Sequence, residues 1–166
     1  LLDMGMDPFN FADALLGVLA QRLAKRLCNK CKEPHVASER EIKSLLTEYC
    51  EELRHIDRFK NNSEAAIAEI RSNWIKQYGD ENNQITLYKS VGCDDCAGTG
   101  YSGRVGLHEL LTASDVLKKN IQEHARVAEM LITALDEGMR TLKQDGIEKV
   151  LQGITDIHQV RVVCIK

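Results

Sequence analysis

Two cysteine doublets carry the clearest coordination chemistry in this sequence, Cys28-Asn29-Lys30-Cys31 and Cys93-Asp94-Asp95-Cys96. A Cys-x-x-Cys spacing folds into a tight knuckle that turns both sulfurs toward one point. Two knuckles then offer four thiolates in tetrahedral directions around one Zn²⁺. Cys28, Cys31, Cys93 and Cys96 are the expected metal ligands. A shell closed by four sulfurs has no open position for water or substrate, so the expected metal is a structural staple and not a catalyst. The competing reading is two disulfides or four buried thiols. Disulfide frameworks belong to short, secreted, loop-rich chains, whereas this one has long helical patterns, no signal-peptide pattern and no apolar run long enough to span a membrane.

The remaining chemistry is thin. His35 lies four residues after Cys31 and could replace a thiolate, but with four cysteines available it reads as a surface histidine. Asp94 and Asp95 add negative charge between two thiolates, so they are expected to point to solvent or to a basic neighbour. They are not a convincing acid and base pair, because nothing in the pattern dries one and solvates the other. His108 and Glu109 alternate along a strand and face opposite ways. The stretch Gly98 to Arg104 is rich in glycine but lacks the Gly-Lys-Ser/Thr ending and following helix of a phosphate loop. No Ser, His and Asp set stands out. No catalytic residue and no nucleotide-binding residue is assigned.

The elements that must position the doublets follow from periodicity. Pro8 opens a predicted helix to about Leu27, since Leu15, Leu19, Leu23 and Leu27 recur every four residues, and this helix would deliver the first knuckle. Sixty-one residues (32 to 92) separate the doublets. That is far more than a compact zinc ribbon needs, so something folded must sit inside the metal loop. Ser38-Glu39-Arg40-Glu41 is a capping box ahead of an amphipathic helix predicted over about 39 to 59. A second helix is predicted over about 64 to 78, ended by Gly79 with positive φ, and the two should pack as a self-contained antiparallel hairpin. Ile85 to Val91 and Val105 to Leu111 read as two strands that flank the second knuckle and pair as a zinc-ribbon hairpin. Residues 114 to 163 read as helices, with Ser114 capping the first, Gly138 and Gly153 interrupting the series and Thr155 capping the last. Leu1 to Met6 reads as the end of something cut off upstream. The expected fold is α+β, mostly helical, with a zinc-ribbon-like tetracysteine hairpin, an inserted helical hairpin and a C-terminal helical subdomain.

Charge narrows the function. The formal net charge is −3, which opposes a general nucleic-acid binder. The basic residues Arg22, Lys25, Arg26, Lys30 and Lys32 cluster before an acidic middle, where residues 33 to 88 carry seven basic and eleven acidic groups. Such a cluster reads as a solvated helix end. Cys50 and Cys164 have no doublet partner and read as buried small hydrophobes. Free thiols point to a reducing cytoplasm.

Several segments then resemble a known family. Leu2-Asp3-Met4-Gly5-Met6 with Pro8-Phe9, Gly17 to Leu23, Arg26-Leu27-Cys28 with Cys31, Val91-Gly92-Cys93 with Cys96, Thr99-Gly100-Tyr101 with Gly103-Arg104, Glu109-Leu110-Leu111, and Gly138-Met139 with Thr141-Leu142 resemble the late part of the secretion ATPases of type II secretion and type IV pilus assembly. The resemblance implies a C-terminal portion of such an ATPase. Residues 1–27 would be the terminal helix of a truncated RecA-like core, 28–111 a tetracysteine metal-binding subdomain with the insert 33–87, and 112–166 a helical subdomain. It implies a structural Zn²⁺ on the four cysteines, with ATP and Mg²⁺ bound only by the full-length parent. It further implies a cytoplasmic homohexamer, peripheral to the inner membrane through secretion or pilus platform proteins, with no nucleic-acid partner and no direct membrane insertion. The portion itself should hydrolyse no ATP. A second reading is a stand-alone zinc chaperone or interaction module, because Cys93 to Gly100 is similar to one repeat of the DnaJ-type cysteine-rich domain. That family repeats the unit several times, and here it occurs once.

Overall fold

The computed structural model describes residues 5–164, so most of the segment read as Leu1 to Met6 and the last two residues of the expected 112–166 subdomain lie outside them. Among the described residues the fold is α+β, with eight α-helices and two small antiparallel sheets. The chain opens with α1 (Pro8–Ala14), capped by the Asp7 side chain on the Asn10 amide at 2.9 Å and started by Pro8 in its first turn. Here the structure corrects the sequence reading, because the helix stops at Ala14 and Gly17–Leu27 is strand β1. A spacing of four fits a helical face, but it is also twice the strand repeat, so Leu19 and Leu23 share one exposed strand face equally well, while Leu27, beyond a register shift, turns to the buried side. Pairing decides between them. Strand β1 lies antiparallel to β4 (Tyr101–Thr112), from Gly17 opposite Thr112 to Leu27 opposite Tyr101, with a register shift between Lys25 and Leu27.

The second correction concerns the expected zinc-ribbon hairpin. Strand β3 (Thr86–Lys89) does not pair with β4; it pairs with β2 (Glu33–Val36), in register from Glu33 opposite Lys89 to Val36 opposite Thr86. The two sheets are thus successive pieces of one interrupted two-stranded ribbon. Each knuckle is an interruption, one on the way from β1 to β2 and one on the way from β3 to β4. The second sheet also brings the ends of the long intervening segment together, which is how so many residues fit inside the loop.

That segment holds α2 (Glu39–Tyr49), α3 (Asp57–Asn61) and α4 (Ser63–Tyr78). The capping box forms as read: Ser38 accepts from the Glu41 amide and Glu41 from the Ser38 amide. The helix predicted to residue 59 stops at Cys50, and a 3₁₀ turn, Glu52–His55, leads to α3. Gly79 ends α4 with φ −76°, not the positive φ expected, because the chain leaves in extended form toward a bridge with Ile85.

The C-terminal helices are α5 (Asp115–Gln122), α6 (Val127–Asp136), α7 (Leu142–Leu151) and α8 (Ile157–Val163). Ser114 caps α5 as expected, and Gly138 and Gly153 leave their helices with φ of 97° and 68°. Asp156, not Thr155, caps α8. The Thr155 hydroxyl instead donates to the Lys25 carbonyl at 2.8 Å, fastening the chain before α8 to β1.

One face of the β1–β4 ribbon is packed under α7 and α8, with Ala24 and Leu107 fully buried there. The main core lies elsewhere, and it is shared. Ile42, Leu45, Leu46, Tyr49 and Trp74 from the intervening segment join Leu135, Ile147, Val150, Leu151 and Val160 in one cluster. Tyr49 and Trp74 meet edge to face, 5.2 Å between centroids. The Tyr49 hydroxyl bonds Glu148 at 2.9 Å, and the buried Gln144 amide donates to the Tyr49 carbonyl at 2.9 Å. Lys143–Glu51 and Arg161–Glu48 ion pairs flank the same seam. The expected self-contained hairpin is therefore corrected: α2 packs on α7 as well as on α4.

Candidate metal centre

Both knuckles are built by backbone that turns back on itself. In the first, the Cys31 and Lys32 amides donate to the Cys28 carbonyl at 3.3 and 2.9 Å; in the second, the Cys96 and Gly98 amides donate to the Cys93 carbonyl at 3.2 and 2.9 Å. The second knuckle needs left-handed backbone just beyond it. Ala97 has φ 51° and Gly100 has φ 76°, and a Cβ on Gly100 would stand 2.7 Å from the Ser90 Cβ. The two knuckles are tied to each other through the Cys28 amide, which donates to the Gly100 carbonyl at 2.9 Å.

The four sulfurs of Cys28, Cys31, Cys93 and Cys96 lie within 4.8 Å of one another. Three of the separations are 3.9 Å (Cys28 to Cys93), 3.8 Å (Cys31 to Cys96) and 3.7 Å (Cys93 to Cys96). These exclude disulfides, whose sulfurs are bonded at about 2.0 Å. They match instead the edge of a tetrahedron, since four sulfurs at about 2.3 Å from a central Zn²⁺ stand about 3.8 Å apart. Thus the donor set fits a four-thiolate metal site in spacing as well as in chemistry.

Backbone amides surround the sulfurs. Gly92 donates to Cys31 Sγ at 3.3 Å, and Cys93 and Gly100 donate to Cys96 Sγ at 3.2 Å each. Burial pushes the Cys96 thiol up, but those two amides and the neighbouring sulfurs outweigh it and bring it down to about 6. Burial pushes Cys31 up to about 12; the Gly92 amide opposes this, and the neighbouring sulfurs add to it. Four sulfurs in contact cannot all ionise without a cation among them, and a divalent ion would relieve that repulsion. The amide donors were not singled out from the sequence. Their signal was present in Val91-Gly92-Cys93 and Thr99-Gly100-Tyr101, where glycine lets the backbone approach a sulfur closely.

The neighbouring polar residues fall outside the cluster. Asp95 pairs with Lys30 across the two knuckle tips at 2.7 Å, and Asp94 is exposed, both as expected from their place between two thiolates. His35 does not join the sulfurs. It is half-buried rather than a surface residue, with Nε2 2.9 Å from Glu41 Oε1 and Nδ1 buried without a partner among the described residues. The basic cluster around the first knuckle is spread over several structural contacts. Lys25 lies over the Tyr101 ring and Lys32 over the Tyr88 ring, while Arg22 donates to the Val163 carbonyl. His108 and Glu109 are separated by the strand as expected. The Asp145 carboxylate accepts from the His108 amide at 2.8 Å, and the Glu109 carboxylate accepts from the Leu142 amide at 3.1 Å, at the start of α7. Cys50 is buried and pushed up to about 11; Cys164, half-buried, is also raised by burial. No helix among the described residues is long and apolar enough to cross a membrane.

The sequence matches the family model of type II/IV secretion system proteins over residues 1–162. The chain belongs to that family. Among curated members of the type II/IV secretion family it is similar to a type IV pilus assembly ATPase PilB of Thermus thermophilus, 38% identical over 158 residues, covering 95% of this chain and 14% of that protein. It is likewise similar to a type II secretion system ATPase E of Vibrio cholerae, 34% identical over 164 residues, 96% of this chain and 25% of the relative. A type IV pilus assembly ATPase PilB of Myxococcus xanthus is 33% identical over 160 residues, 96% of this chain and 23% of the relative. The chain thus spans a quarter or less of the length of these secretion and pilus relatives.

Proposed function

We propose that this chain forms a non-catalytic, metal-stapled part of a hexameric motor ATPase that powers type II secretion or type IV pilus assembly. The observation that carries the reading is the set of four sulfurs at tetrahedral spacing, in a chain that belongs to the type II/IV secretion family over almost its whole length. Zinc bound by Cys28, Cys31, Cys93 and Cys96 supplies a cross-link between the two halves of the ribbon, with no open coordination position for chemistry. The chain's own residues then do the rest. The Gly92, Cys93 and Gly100 amides orient the thiolates, and the β1–β4 ribbon transmits the position of the junction to α7 and α8. ATP hydrolysis needs backbone amides and a Lys around the β and γ phosphates, an acidic group on Mg²⁺ and a residue that positions water. In this reading those groups belong to the longer protein. Its partners are neighbouring subunits of a homohexamer and inner-membrane platform proteins, and its place is the cytoplasm, peripheral to that membrane.

The test is an ATPase assay on this chain alone, on the full-length protein and on the full-length protein with Cys93→Ser. The expected outcome is no turnover by the chain, turnover by the full-length protein, and reduced turnover with the cysteine change through misplaced subdomains or weaker assembly. Turnover by the purified chain, proportional to its concentration, would sink the reading. A fully active Cys93→Ser protein would remove the metal from the working cycle.

A further inference from the structure

The four-sulfur junction leaves unexplained a groove of about 850 Å³ that lies wholly within the segment between the doublets. Its walls are two helix stripes. On α2 and its continuation, positions 39, 43, 46 and 50 recur at spacings of three and four; on α4, positions 64, 67, 68 and 71 do the same. Two such rows side by side form the ridges and groove into which a third helix packs. The floor is apolar, made by Leu46, Cys50, Phe59 and Ile67.

The rim has the opposite charge from its surroundings. Residues 33 to 88 carry eleven acidic and seven basic groups, yet the groove is edged by Arg40, Lys43, Arg54 and Arg71 against only Glu39 and Glu64. Arg71 is tied to Glu39 at 2.6 Å, an ion pair that bridges α2 to α4. Arg40, Lys43 and Arg54 are exposed and have no carboxylate partner among the described residues, although the same segment supplies carboxylates to Lys60, Arg58, Lys143 and Arg161. Among the described residues, Glu64 is the acidic group on the rim without a cation partner.

We propose that this groove is a docking site for an acidic amphipathic helix of a partner protein. Its apolar stripe would lie on Leu46, Phe59 and Ile67, and its flanking carboxylates would meet Arg40, Lys43 and Arg54. An apolar floor supplies affinity, while the unpaired cations select against basic helices and speed encounter with acidic ones. The inference does not depend on the metal, because no cysteine of the two doublets lines the groove.

The experiment uses isotope-labelled chain and a panel of synthetic helical peptides, each with a Leu stripe at helical spacing and glutamates on its flanks, in several registers. Control peptides carry lysine for glutamate, or the same residues scrambled to break the stripe. The acidic amphipathic peptides are expected to shift the amides of α2 and α4, with affinity that falls as salt rises. The combined changes Arg40→Glu, Lys43→Glu and Arg54→Glu should weaken binding about tenfold or more, as expected for three charge contacts removed together. Ala68→Trp, at an exposed groove position, should block binding by filling the space, while circular dichroism and the unshifted amides of α7 and α8 show the fold intact. The proposal is overturned if the whole panel leaves the α2 and α4 amides unmoved, or if scrambled or basic peptides bind as well. It is overturned equally if anionic vesicles or oleate occupy the groove in preference to the peptides, or if a second copy of the chain fills it, seen as a dimer that the charge reversal dissociates.

Discussion

The four-sulfur junction and the shared helical core hold the same chain together by opposite means. At the junction, order is local and directional: four sulfurs, a few amides and two short turns, with little apolar area enclosed. In the core, order is spread over many non-directional contacts between residues about a hundred positions apart, such as Tyr49 with Gln144 and Glu148. A directional site fails when a single donor is lost. A packed core fails by degrees, in proportion to the volume removed.

The strongest break is at the junction. Metal analysis is expected to give one zinc per chain, and Cys93→Ser to abolish it. Thiolate zinc sites contribute apparent binding energies on the order of 10 kcal/mol to the structure they close, so chelation should release the amides of both knuckles to hydrogen exchange. The α2, α4 and α7 amides should stay protected, because their core contains no doublet cysteine. Simultaneous loss of both sets of amides would show that the two regions are one cooperative unit.

Next in size is the core. Ile147 is fully buried where the segment between the doublets meets α7, and Ile147→Ala should cost about 2–5 kcal/mol. The loss should appear in one thermal transition that includes both the Trp74 signal of α4 and the C-terminal helices. Two separate transitions would restore the self-contained hairpin. Replacing Val36 to Asn83 with a short Gly-Ser linker sharpens the same contrast. Metal binding should persist, while the uncovered faces of Leu135, Ile147 and Val160 lower the melting temperature of the remainder.

A smaller effect is expected from pH. Glu41 is held down from its ordinary 4.5 to about 2, chiefly by the Ser38 hydroxyl and amide, with burial opposing and His35 adding to the pull. A carboxylate depressed by folding stabilises the fold above its unfolded pKa, and that stabilisation is lost as pH falls through the folded value. The first turn of α2 should therefore lose amide protection between about pH 4.5 and pH 2, and Ser38→Ala should move this loss to higher pH. The carboxylate is partly exposed, so the change should be local. An unchanged titration in Ser38→Ala would remove the capping box as its cause. Smallest of all, Lys30→Ala breaks an exposed pair with Asp95 and should shift stability by no more than about 0.5 kcal/mol, leaving metal content unchanged.

The same contrast explains what could be read in advance. Cys-x-x-Cys, the Ser38 to Glu41 capping box, the Ser114 cap and the turns at Gly138 and Gly153 are local rules, and each acts within a few residues. Strand β1 was misread because its leucines recur every four residues, a spacing that both helix and strand accept, and only its partner β4, far along the chain, settles the matter. Pairing of β2 with β3 was missed for the same reason: Glu33-Pro34-His35-Val36 is too short and too polar to announce a strand without Thr86 to Lys89 beside it. The basic groove was hidden in a segment whose overall charge is acidic, since position on a helix face, not composition, decides what a surface presents.

The ribbon register has a mechanical consequence. Gly17 lies opposite Thr112, so at one end the chain enters from α1 and leaves to α5 side by side, while the sulfur junction holds the two strands at the other. A pull that separates those ends loads the strand pairs one at a time, like a zip, together with the α7 and α8 contacts that cover one face of them. Peeling can run only as far as Leu27 and Tyr101, where the next connection is the four-sulfur junction. With metal bound there, the travel has a fixed stop, and the β2–β3 strand pairs beyond it are reached only after that junction gives way.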